Sequence, residues 1–264
     1  MRPPSPMLSM LDQFIMLEYG TFVAMGARLA GDADGDGHPV LVLPGFGGSD
    51  SSTGPLRAAL RRKGYATHGW KLGLNIGPHH HIVEGLDQRL TDLHRRYGGV
   101  TVSLVGWSLG GVYARELARL RPDAVRQVIT LASPYRMRPG DRSRASMFYD
   151  ALAPRTDRFL PQTEPEEARP PMPVSATSIY TRTDSVVRWH TCIDTVGPGR
   201  ENIEVIGTHN GLGVNVAALL AIFDRLAQPQ GRWAPFRPPR RARHLFPQPA
   251  AWRPAATPAR GRSG

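Results

Sequence analysis

Cysteine is almost missing: Cys192 is the one thiol among 264 residues. An intramolecular disulfide and a thiolate-held metal cluster are thereby excluded, which fits a cytoplasmic location. Long apolar runs are missing as well. The segment from Met7 to Ala30 is rich in apolar residues, but Asp12, Gln13 and Glu18 interrupt it. No stretch nears the roughly 20 residues that span a bilayer, so the segment reads as a helix packed on the body. Acids are missing from one region. From Gln228 onward there are eight arginines and no Asp or Glu. That tail supplies +8 of the formal +11 and leaves about +3 for the rest, so no basic face for specific nucleic-acid binding is indicated.

The remainder falls into three parts. Residues 1–38 hold the N-terminal helix and a turn-rich linker, "GDADGDGH" (31–38), which lacks the distant bidentate Glu of a calcium loop. Residues 39–227 alternate apolar, β-branched runs with amphipathic ones. "PVLVLPGFGG" (39–48), "YATHGWKL" (65–72), "VTVSLVG" (100–106), "VRQVITLAS" (125–133), "VSATSIYTRTD" (174–184) and "ENIEVIGTHNG" (201–211) read as strands. Between and after them, residues 55–64, 82–98, 109–121 and 213–227 carry helical spacing. Strands alternating with helices predict an α/β domain, with a mostly parallel sheet of about six strands and helices on both faces. The Pro-rich stretch 134–173 interrupts the rhythm as a short lid-like insertion. Its Met147, Phe148, Tyr149, Leu152, Phe159 and Leu160 either line an acyl pocket or pack beneath the insertion. Residues 228–264, rich in Pro, Arg and Ala, bury too little apolar surface to offset their ordering entropy and are expected to be disordered. The tail's arginines allow at most weak peripheral contact with an acidic membrane.

Chemistry concentrates at "GWSLG", Gly106 to Gly110. The spacing alone is a weak signal. Its position, closing a strand and opening a helix, is what a nucleophile elbow requires: the tight turn lifts Ser108 Oγ clear of the sheet, above a helix N-terminus that favours negative charge. The alternative is an ordinary Gly/Ser turn. A serine hydroxyl needs a base, and the base needs an orienting carboxylate, expected in the order Ser, acid, His. Asp184 and His209 each follow a strand, which puts them on the same carboxyl rim as Ser108. Asp194 and His190 are the rivals, and a turn aspartate and a capping histidine are the inert readings. The backbone N–H groups of Leu109 and of Phe46, in "LPGFGG", are the candidate oxyanion donors. Three adjacent histidines, His79 to His81, point in different directions on a helix and do not converge on a metal. Trp107 is expected to brace the elbow.

These motifs together, "PGFGG", "GWSLGG", "SIYTRTD" followed by "VV", and "GTHNGLG", resemble the α/β-hydrolase superfamily in its single-domain bacterial esterase/lipase branch, over about residues 39–227. The resemblance implies that fold, trimmed of its first two strands, with Ser108 as nucleophile, Asp184 as orienting acid, His209 as base, and Phe46 and Leu109 as oxyanion donors. It also implies a serine hydrolase acting on a small-molecule ester or lipid, without metal or organic cofactor. Many relatives have His-Gly where this chain has Pro44-Gly45. Acyl transfer by the same triad and a non-catalytic binding role are the alternative functions.

Overall fold

The computed structural model describes residues 14–30, 33–137 and 165–251. Six strands, β1 (Pro39–Leu43), β2 (Ala66–Gly69), β3 (Val102–Trp107), β4 (Val125–Leu131), β5 (Ser175–Tyr180) and β6 (Arg200–Glu204), form one sheet in the order β2-β1-β3-β4-β5-β6. Every pairing is parallel. The helices are α1 (Ile15–Ala30), α2 (Gly54–Arg62), α3 (His80–Arg96), α4 (Leu109–Leu120) and α5 (Val216–Ala227). No described helix is long and apolar enough to cross a membrane.

The strands read as unbroken apolar runs because both sheet faces are covered. Side chains alternate between faces. Val40, Val42, Val105 and Ile129 join a core roofed by α2 and α5, with Phe22 of α1 packed in. Leu41, Leu43, Leu104 and Val128 join the opposite core under α3 and α4. The chain leaves β1 for β2 on one side and returns to place β3 on the other. This order reversal opens a crevice at the strands' carboxyl ends. The register pairs Leu43 with Gly106 and Trp107 with Leu131, so the β1 and β3 termini meet at that crevice.

The expectation of a disordered segment from 228 onward does not hold for residues 228–251. Phe236, Leu245 and Phe246 pack against the core, and the Phe236 N–H donates to Glu201 at 2.8 Å. Asn202 donates to the Ala250 carbonyl at 3.1 Å, and the Ala250 N–H donates to Tyr180 Oη at 2.6 Å. Average composition concealed these few spaced anchors, which find an apolar strip already formed by α5 and β6. Residues 252–264 lie outside the described residues.

The expected lid residues 147, 148, 149, 152, 159 and 160 also lie outside them. The flanks of that insertion are described, and they are held by charge. Fully buried Arg115 of α4 pairs with Glu166 at 2.5 Å and with Asp194 at 2.9 Å. Arg136 reaches Glu167 and Asp194, each at 3.2 Å. The Arg115 guanidinium also stacks 3.9 Å from the Tyr135 ring centroid. Burial alone pushes the Asp194 carboxyl up, but Arg115, with help from Arg136, outweighs it and holds that carboxyl below its ordinary range.

Asp194→Asn removes the carboxylate that Arg115 and Arg136 share and leaves each with one acid, Glu166 and Glu167. Breaking a buried pair outright costs about 3–5 kcal/mol, so a smaller loss, of about 1–3 kcal/mol, is expected here, an effect urea denaturation at pH 7 will read. The sign with pH follows from the lowered carboxyl. The wild type keeps this contribution above the unfolded pKa of about 3.9 and loses it as the pH falls through the folded value, so the variant will show the shallower acid slope. Equal stability of the two proteins at pH 7 contradicts this.

Candidate active site

Ser108 sits at the β3–α4 junction with φ 51° and ψ −120°, a left-handed backbone that a non-glycine residue rarely adopts. Its N–H donates to the Leu131 carbonyl at 2.8 Å, and its carbonyl accepts from Gly111 at 3.0 Å. The neighbouring glycines are required by close approach. A methyl on Gly106 would lie 2.4 Å from the Gly110 carbonyl oxygen, and one on Gly110 would lie 2.4 Å from the Leu43 carbonyl oxygen. Leu109 is the first residue of α4, where backbone N–H groups have no partner within the helix.

The loop after β1 closes over this turn. A methyl built on Gly45 would be 3.1 Å from Ser108 Cβ and 3.8 Å from its Oγ. Phe46 follows directly. Asn75, fully buried, fastens the loop from three sides: its Nδ2 donates to Pro44 at 2.9 Å, its N–H to Gly48 at 2.8 Å, and its carbonyl accepts from Gly47 at 2.7 Å. Its Oδ1 is fixed in turn by Gly77 at 3.2 Å and Tyr113 at 3.3 Å.

On the same rim, after β5 and β6, Asp184 and His209 meet. His209 Nδ1 lies 2.6 Å from Asp184 Oδ2, and both residues are buried. A carboxylate only accepts, so Nδ1 carries the proton and the neutral ring leaves Nε2 as its basic nitrogen. Asp184 Oδ1 is separately occupied by the N–H groups of Val186 and Val187, at 2.8 and 2.7 Å. Thr181 and Thr183 tie the acid's loop to the Gly207 carbonyl at 3.1 and 2.6 Å. The Trp107 indole donates to the His209 carbonyl at 3.0 Å and packs against Gly213, joining the residue before Ser108 to the histidine loop. Among the described residues no hydrogen bond joins Ser108 Oγ to the His209 ring; such contacts often tighten only with substrate bound.

The rivals are accounted for elsewhere. Asp194 belongs to the ion-pair cluster with Arg115 and Arg136. His190 lies on a short turn with its ring edge-on to Trp189, 5.1 Å away. A second Ser-His-Asp relay occurs at the opposite sheet edge, where His38 binds Asp36 and, at 2.8 Å, Ser103 Oγ. Ser103 is fully buried within β3, so no substrate carbonyl reaches it. Cys192 is buried, and desolvation pushes its thiol well above the ordinary range, so no reactive thiolate forms there. Among the described residues no group of three or more His, Cys, Asp or Glu side chains is placed to hold a metal.

Two polar residues that brace the loops around the site, Asn75 and Glu18, are not evident from the sequence. Asn75 carries no local signal beyond being an Asn in a Gly-rich connection. Glu18 was noticed only as an interruption in an apolar helix. In the fold its carboxylate enters the histidine loop and accepts from Thr208 Oγ1 at 2.6 Å, from Thr208 N–H at 3.2 Å and from Asn215 Nδ2 at 2.7 Å. Asn215 also caps α5 by accepting from Ala218.

No protein-family model matches the chain, and no curated protein sequence matches it either. Solved structures do. A putative non-heme bromoperoxidase, BpoC, from Mycobacterium tuberculosis superposes with a TM-score of 0.50 at 16% identity, covering 73% of this chain and 92% of that one. Aspergillus fumigatus lipase B superposes with a TM-score of 0.52 at 15% identity, covering 73% of this chain and 53% of the lipase. With its all-parallel sheet, this chain has the α/β-hydrolase fold.

Asp184→Asn offers one acceptor oxygen where the native residue fills two roles, so the loop amides and the imidazole compete for it. The strongly downfield imidazole N–H resonance expected of the wild type in proton NMR will be lost or moved upfield in this variant. An unchanged resonance contradicts the pairing.

Proposed function

We propose that the chain is a serine hydrolase that cleaves carboxylic esters through an acyl-enzyme. One observation carries the reading: a left-handed serine at the β3 terminus shares its rim with a carboxylate-held histidine and lies under a pinned glycine loop. Ser108 Oγ attacks the ester carbonyl as His209 Nε2 takes its proton, and Asp184 stabilises the imidazolium that forms. The carbonyl oxygen, now negative, is met by the N–H groups of Leu109 and Phe46, each donor being worth about 3 kcal/mol of barrier. His209 then protonates the leaving alkoxide. A water, deprotonated by the same nitrogen, attacks the acyl carbon and restores the serine.

The substrate class is a small ester or lipid with an apolar acyl part. A supporting likeness is the lipase with which the chain shares its fold. Asn75 and Glu18 act here as positioning residues: one holds the donor loop, the other the base's loop.

Ser108→Ala is expected to lower kcat for short p-nitrophenyl esters by on the order of 10⁴-fold or more, the range seen when a triad member is removed. Retained wild-type hydrolysis overturns the assignment. Asn75→Ala is expected to lower kcat by about 10- to 100-fold through a displaced oxyanion donor, with KM little changed. A rise in KM alone contradicts the positioning role.

A further inference from the structure

Behind the histidine loop lies a groove of about 810 Å³ that none of Ser108, Asp184 and His209 lines. It is built from two helix stripes. Leu17 and Met25 of α1, with Phe14 just before it, line one side, and Val216 and Leu220 of α5 line another. The turn at Pro239–Leu245 closes the third side, and Gly207 and Thr208 form the floor. Large apolar side chains stand open to solvent here: Leu17 is 65% exposed, Ile206 60% and Phe14 52%. A contiguous apolar surface of this kind marks a binding site more often than chance exposure.

Among the described residues the turn that closes the groove carries charge of one sign. Arg241 lines the groove, with Arg240 and Arg243 on the same exposed turn. Residues 228–251 contain no acid to answer them. Among the described residues the one carboxylate in the wall, Glu18, is turned into the histidine loop and occupied by Thr208 and Asn215. An apolar trough with cations at one end complements a molecule with an aliphatic chain and an anionic head. The volume lies in the range of sites for single small molecules, about 300–1,000 Å³. The trough is also concave, with its floor recessed between two helices and a turn, which suits one enclosed chain better than a flat bilayer.

We propose that this groove is a second ligand site, separate from the ester-cleaving centre, that takes a single-chain anionic amphiphile such as a long-chain carboxylate. The apolar chain lies between α1 and α5, and the head meets Arg241. The site stands independently of the hydrolase reading: the positioning residue Glu18 borders it, but none of Ser108, Asp184 and His209 does.

The test uses the full-length protein and dansyl-undecanoate, a fluorescent carboxylate kept below its micelle concentration. Saturable binding of one molecule per chain is expected, equal in the wild type and in Ser108→Ala. Thr21→Trp, which fills the trough from α1, and Arg241→Glu, an exposed change that cannot empty the core, are each expected to weaken binding about tenfold or more, equivalent to at least ~1.4 kcal/mol. Laurate should displace the probe better than dodecanol. Binding lost in Ser108→Ala alone overturns the proposal, since the probe would then occupy the ester site. So does binding unaffected by both groove variants, or equal displacement by the neutral alcohol. Association with phosphatidylglycerol vesicles without any binding of the dispersed probe overturns it too, in favour of surface docking.

Discussion

The architecture turns on holding one serine in a conformation it would not choose. A non-glycine residue in the left-handed region carries on the order of 1–3 kcal/mol of strain, and it persists only where its surroundings over-determine it. Here they do. The Ser108 N–H is committed to β4, its carbonyl to α4, and the glycines on either side let strand, helix and the β1 terminus approach to distances that a methyl would forbid. The parallel sheet makes this possible, because its register brings the ends of β1, β3 and β4 to the same edge.

Around that turn the site is assembled by polar clamps that each bridge distant parts of the chain. Asn75 secures the glycine loop, Asp184 gathers its own loop and the imidazole, and Glu18 crosses from the N-terminal helix to the loop bearing His209. Buried polar groups are stabilising only when partnered, and both carboxylate oxygens of Asp184 and both side-chain polar atoms of Asn75 are. The arrangement also explains the N-terminal helix. It packs on α5 and α2, and its Glu18 reaches the loop bearing His209.

Much of this was legible beforehand, for physical reasons. Strands covered on both faces announce themselves as apolar runs, and Val40 to Leu43 or Val102 to Val105 admit no other easy reading. The elbow was legible because a serine between glycines at a strand-to-helix change has few structural alternatives. That Asp184 and His209 share one rim followed from strand ends. What was hidden depends on contacts across long sequence separations. Nothing near Glu18 discloses Thr208, and nothing near Asn75 discloses Pro44. The tail misled because composition averages over residues. A chain rich in Pro and Arg looks disordered until Phe236, Leu245 and Phe246 find the strip between α5 and β6. The buried relay of Asp36, His38 and Ser103 gives the converse lesson. Three suitable side chains in contact do not make an active site when the hydroxyl is sealed inside a strand.

The central claim is that the folded chain activates one particular hydroxyl. Peptide mapping by mass spectrometry after exposure to a fluorophosphonate tests it most directly, on native protein and on protein unfolded in urea. A single adduct on Ser108, formed by the native sample and absent from the unfolded one, is the expected result. A native sample that stays unmodified, or one labelled at Ser103 or another serine instead, contradicts the account.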